Sequence, residues 1–180
     1  MNSKFAVALL LPVLIALSAC DKSVDLVSKD SVSSVKCGDE SSLKLVKSLL
    51  QDNIQTSVKN IANNEGVAID GSALRASTSQ VKFNLEDVRT SKTDPNSTKV
   101  FCVAALSTTL DLETINRANF VSDYYGYNNV SEMAFEQDIE MDGTTIEYSI
   151  EYSIQPTDDG TNIYGQLQNG SELLDFIGIT

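Results

Sequence analysis

Histidine and tryptophan are both absent from this 180-residue chain, and proline and cysteine occur three times each. Basic residues are scarce as well: 13 Lys and Arg stand against 25 Asp and Glu, for a net charge of −12. Each shortage removes a class of function. Without histidine the chain lacks the commonest general base and the commonest zinc ligand, and no triad of nucleophile and histidine can be built. No GxGxxG run and no phosphate-binding glycine–lysine loop is present. Serine–lysine or paired-carboxylate chemistry needs no histidine, but no spacing singles out a pair. The expectation is a non-enzyme with no catalytic residue, cofactor or metal. So acidic a chain, with no basic patch, is repelled by nucleic acid and by anionic headgroups.

The amino-terminal end is the strongest positive signal. Met1 to Lys4 is a short polar start with one positive charge, and Phe5 to Leu17 is thirteen apolar residues. As a helix this run would span about 20 Å, against about 30 Å for a hydrocarbon core. A charged start, an apolar centre and small residues before a break read as a secretory signal rather than a transmembrane anchor. The residues that follow, Leu17-Ser18-Ala19-Cys20, resemble the lipobox of bacterial lipoproteins at all four positions. The resemblance implies a signal peptide over 1–19, cleavage before Cys20, a diacylglycerol on its sulfur and a fatty acid on its new amino group. Two or more acyl chains make membrane anchoring stable. The chain would then face the periplasm from the cell envelope. Asp21 after the cysteine favours the inner membrane by analogy with enteric bacteria.

Removing the signal leaves residues 20–180 with a charge of −13, enough chain for one domain. With Cys20 lipidated, Cys37 and Cys102 remain, and in an oxidising compartment an isolated pair reads as one disulfide. Closing about 65 residues would stabilise by about 4 kcal/mol in the chain-entropy model. A redox or metal role for the pair finds no CxxC and no histidine to support it. Residues 20–36, rich in Ser, Asp and Lys, read as a lipidated tether spanning about 20–24 Å. Val24, Leu26 and Val27 leave a short edge strand open as an alternative there. The folded domain is placed at 37–180.

Within that domain Leu43, Val46, Leu50, Ile54, Val58 and Ile61 recur at spacings of three and four, with Leu45 and Leu49 widening the stripe. Asp39, Ser41 and Ser42 suit its start, and Asn63, Asn64 and Gly66 its end. Gly66 to Gln80 reads as a connection. Val81, Phe83 and Leu85 then alternate with polar residues as a strand to about Arg89, and Asp94-Pro95-Asn96 marks a turn. A second strand, about 99–112, puts Cys102, Ala104, Leu106, Leu110 and Leu112 on one face. A hairpin centred on Asp142-Gly143 pairs Met141 with Thr144, Ile139 with Ile146 and Phe135 with Ile150. Phe135, Ile139, Met141, Ile146, Tyr148, Ile150, Tyr152 and Ile154 are expected to face the core. A last strand holds Ile163, Gly165 and Leu167, and the apolar end 173–179 packs rather than frays.

The expected fold is therefore α+β: one long helix packed on an antiparallel sheet of about five strands. It is similar in element order to cystatin-like and nuclear-transport-factor-like domains. The chain also resembles small uncharacterised Gram-negative lipoproteins with a cysteine before the first helix, another in a strand and a late acidic hairpin. Neither likeness implies an activity.

Two groups of residues are candidate docking sites. In the hairpin register above, Glu136, Asp138 and Glu140 line one strand beside Glu147 and Glu151, with Asp138 opposite Glu147. Opposed like charges destabilise a strand pair and invite a cation or a basic partner, unless the face is merely solvated. Asp138 to Gly143 resembles the start of an EF-hand loop but departs from it at Glu140 and Ser149. The second group is Tyr124, Tyr125 and Tyr127, among Gly126, Asn128 and Asn129. This is the composition of adaptable recognition surfaces, although tyrosines also cover core edges. The expected function is a membrane-anchored, non-catalytic protein-binding module of the cell envelope, of a protective, immunity or exclusion type. Its partner is an unknown envelope protein. The alternative is a small-molecule or lipid-binding lipoprotein with a pocket between helix and sheet.

Overall fold

The computed structural model describes residues 34–179. The expected signal peptide, the lipobox-like residues Leu17 to Cys20 and the expected tether up to residue 33 lie outside the described residues. Ten elements follow in order: α1 (Glu40–Asn64), α2 (Gly71–Thr78), β1 (Lys82–Thr93), β2 (Val100–Thr109), α3 (Leu112–Tyr125), α4 (Val130–Glu136), β3 (Glu140–Asp142), β4 (Thr145–Pro156), β5 (Ile163–Leu167) and α5 (Ser171–Ile179). The class is α+β, with a long helix packed on an antiparallel five-stranded sheet. The order is not a helix followed by a plain meander, because α3 and α4 interrupt the strands.

β4 organises the sheet. It pairs along its whole length with β2, and its opposite edge is shared by β3 at one end and β5 at the other. β1 completes the far edge through β2. The inner face buries Phe83, Leu85, Cys102, Ala104, Leu106, Ile146, Ile150, Tyr152 and Ile154 against Val46, Leu50 and Ile54 of α1 and against Leu173, Phe176 and Ile177 of α5. The helical stripe of α1 thus meets the period-two face of the sheet, as the two periodicities require.

α1 follows its N-cap Asp39 and ends at Asn64, within the expected Asn63–Gly66 stop, with Gly66 at φ 69° and Val67 N–H donating to Ala62 O at 2.8 Å. Ser42 is buried in its first turn, and its Oγ is the one buried side-chain polar atom among the described residues without a hydrogen-bond partner. The connection 66–80 holds α2. Its cap Asp70 accepts from the Ser72 hydroxyl and from the amides of Ser72 and Ala73, which holds the carboxyl below its ordinary range.

Cys37 and Cys102 form a disulfide with a Cα–Cα distance of 5.7 Å, which fastens the entry to α1 onto the middle of β2. Tyr152, fully buried on β4, donates its hydroxyl to Cys37 O at 3.0 Å. Burial pushes that hydroxyl from the ordinary 10.0 up to about 12. Val35 is buried too, so the packed chain begins before Cys37 rather than at it.

Three expectations are corrected in the second half. Residues 130–136 are helix, not strand, so Phe135 lies on α4 with 83% of its surface exposed and does not pair with Ile150. The hairpin turns at Gly143-Thr144 instead of Asp142-Gly143, pairing Asp142 with Thr145, Met141 with Ile146 and Glu140 with Glu147. Gly143 takes φ 61° and Thr144 does not take a positive φ, which suits a turn needing glycine at its first central position. Leu112 begins α3 and is exposed, because β2 stops at Thr109.

Candidate functional site

The tyrosine segment is the end of one helix and the link to the next. Asp111 caps α3 by accepting from the amides of Glu113 and Thr114. The helix closes at Gly126, where φ 74° lets Tyr127 N–H reach Ser122 O at 2.8 Å and Gly126 N–H reach Asp123 O. Three residues later Asn129 caps α4. Its side chain accepts from the Glu132 amide and the Glu132 carboxylate accepts from the Asn129 amide, a reciprocal capping box. The Asn119 side chain of α3 accepts from Val130 N–H at 2.8 Å, and Asn128 donates to Glu136. α4 ends with Asp138 in the left-handed region at φ 55°, and Ile139 N–H donates to Ala134 O. The two helices are thus fixed in place by local hydrogen bonds at every end.

What they bury is small and what they expose is large. The inward residues are Ile115, Ser122, Val130, Ala134 and Ile139, with Ala118 and Met133 partly covered. Outward stand Phe120 (72% exposed), Val121, Tyr124 (76%), Tyr125 (66%), Tyr127 (71%) and Phe135 (83%). A helix built only for packing would reverse that assignment. The Tyr124 and Tyr125 rings meet edge to face with centroids 5.0 Å apart, and the Tyr125 and Tyr127 centroids are 6.3 Å apart. The three tyrosines therefore form one exposed aromatic cluster and do not cover a core edge.

The acidic residues fall differently from the sequence expectation. Glu136 is helical and tied to Asn128, and Asp138 terminates α4, so neither joins a strand row. The opposed pair is Glu140 with Glu147, not Asp138 with Glu147. Both residues, with Asp138, line an open hollow of about 700 Å³ on the outer face of the sheet, whose wall also holds Glu86, Asp87 and one cation, Arg89. Asp87 occupies a bulge in β1 at φ 49°. The EF-hand likeness dissolves, since Asp138 to Asp142 runs from a helix end into a strand. Among the described residues no group of three or more Asp, Glu, Cys or His is placed to hold a metal ion.

Charge is divided along the chain. All 13 Lys and Arg lie within residues 1–117, which are neutral overall, while residues 118–180 contain 12 Asp and Glu and no cation. Where cations do gather, Lys92 and Lys99 lie over the Phe101 ring. The one ion pair among the described residues, Arg117 with Glu113, is fully on the surface of α3.

A second concavity, about 530 Å³, lies where α1, α2, α3 and α5 meet, with Ile54, Val58, Leu74, Leu110 and Ile177 as its apolar wall. Thr109 at the end of β2 lines it as well. None of the described helices is long and apolar enough to cross a membrane. Comparison of the chain with protein-family models, with curated proteins and with solved structures yields no match.

Proposed function

We propose that this chain is a membrane-anchored periplasmic lipoprotein that acts as a non-catalytic protein-binding module of the cell envelope. The observation that carries the reading is the inverted burial of α3 and α4, which leaves Phe120, Val121, Tyr124, Tyr125, Tyr127 and Phe135 in water. Exposed apolar residues mixed with tyrosine are the composition of interaction surfaces, and large apolar side chains left in water cost solubility unless a partner covers them. The lipobox Leu17 to Cys20 supports the anchor, and the Cys37–Cys102 disulfide agrees with an oxidising compartment. Anchoring matters to such a module because it confines docking to the membrane surface and raises the local concentration of an envelope partner.

The anchor is tested by expressing the full chain in a Gram-negative host fed a clickable fatty acid. The label is expected on the wild-type chain and absent from Cys20→Ala; an unlabelled wild-type chain overturns the lipoprotein reading. Small-molecule or lipid binding is a second reading, favoured by the apolar concavity beside Leu74 and Ile177. It predicts that a monoacylglycerol titrated into the protein shifts the resonances of those residues; titration without a shift there removes it.

A further inference from the structure

Resting on the docking reading above, we infer that the partner of the α3–α4 face is a basic protein segment that carries an apolar or aromatic side chain between its cations. The argument begins with what the face repels. Residues 118–180 hold the entire net charge of the chain, with no Lys, Arg or His among them, and they supply nearly all of α3 beyond its second turn, α4 and the β3–β4 hairpin. A second copy of this chain would bring that same unipolar surface against itself. Anionic lipid and nucleic acid meet the same repulsion. Like-charge juxtaposition across an interface costs several kcal/mol, so these occupants are selected against before any contact is made.

The aromatic cluster then specifies the cation. Tyrosine faces attract guanidinium and ammonium groups within about 6 Å of the ring centroid. Tyr124, Tyr125 and Tyr127 offer three such rings within 6.3 Å of their neighbours, and among the described residues no Lys or Arg lies over any of them. Phe101, by contrast, already has Lys92 and Lys99 above it. Nothing among the described residues therefore closes the tyrosine faces to a cation from outside. Asp123 lies on the last turn of α3 between Val121 and Tyr124, and the Glu132 and Glu136 carboxylates accept from Asn129 and Asn128 of the link that follows Tyr127, so the chain around the rings carries acid and no cation. Phe120 and Val121, one helical turn before Tyr124 and Tyr125, are exposed as well and supply the apolar contact that a purely cationic ligand would leave unused. Glu140 and Glu147, adjacent in register on the hairpin that follows α4, extend the negative field toward the outer hollow. They steer approach; the contact itself is assigned to α3 and α4.

The test uses the full isotope-labelled chain in phosphatidylcholine nanodiscs and two peptides. One is three repeats of Arg-Tyr-Gly, and the other replaces each Arg by Gln. Resonances of residues 120–138 are expected to shift with the arginine peptide, with affinity at least about tenfold above that of the glutamine peptide and falling as salt screens the charges. Tyr124→Ala with Tyr127→Ala is expected to weaken binding by about tenfold or more while the rest of the spectrum stays unchanged, since both side chains are exposed. Equal binding of both peptides at α3–α4 overturns the basic-partner inference and leaves the docking face standing. Binding that is indifferent to the two tyrosines, or spread over the whole acidic surface, overturns it as non-specific attraction. No shift with either peptide overturns the inference and the docking reading together.

Discussion

Around Cys37 the large apolar side chains are spent on the fold, whereas along the second half of α3 they are left in water. At the first place a disulfide, the buried Tyr152 hydroxyl and buried Val35 converge on one stretch of backbone, and Tyr152 finds its hydrogen-bond partner inside. At the second, Ser122 and Ala134 face inward while Phe120, Tyr124 and Phe135 face outward. The two regions are equally well braced, because Gly126, the Asn129–Glu132 capping box and the Asn119 contact hold α3 and α4 as firmly as local hydrogen bonds allow. The difference lies in what the bracing serves. In one region it stabilises the core, and in the other it holds aromatic rings in a fixed outward array.

Substitutions on each side should separate these roles. Replacing both Cys37 and Cys102 by alanine is expected to cost about 4 kcal/mol, read as a lower urea midpoint, because the 65-residue closure no longer restrains the unfolded chain. Tyr152→Phe leaves Cys37 O without its donor inside the core, and should cost about 1–3 kcal/mol. The same group sets an alkaline limit. Its folded pKa is raised from 10.0 to about 12, so the fold favours the neutral hydroxyl. That contribution is present in full below pH 10 and disappears as pH climbs through about 12, which a pH series of unfolding midpoints would show for the wild type and not for the phenylalanine variant. Asp138→Gly should stabilise by about 0.5–1 kcal/mol, because an aspartate at φ 55° occupies a position that glycine adopts without strain. A loss of stability there would mean the Asp138 side chain contributes something the backbone does not record.

Legibility in the sequence followed the same division. The stripe from Leu43 to Ile61 and the alternation around Phe83 and Ile150 were readable because each buries one complete face against the core. The Cys37–Cys102 pairing followed from counting cysteines. The helical nature of 130–136 was not readable from periodicity, since a seven-residue helix that buries only Val130 and Ala134 and exposes Phe135 has no apolar stripe to read. Its signal was local: Asn129 followed three residues later by Glu132, the reciprocal cap. The hairpin slipped by one residue because Asp-Gly suggests a turn with both residues at its centre, while here Gly143 supplies the positive φ alone and Thr144 completes the turn. The slip moved the opposed carboxylates from Asp138 to Glu140. The tyrosine cluster was legible by composition, but only the burial of its neighbours showed which way it points.

The division between a stabilising core and an outward aromatic face is tested most directly by guanidinium unfolding of a triple variant, Tyr124→Ser with Tyr125→Ser and Tyr127→Ser. If these rings serve a partner, the free energy of unfolding stays within about 1 kcal/mol of the wild type, as for other exposed substitutions. A loss of about 3 kcal/mol or more, the scale of an aromatic removed from a core, would contradict the account.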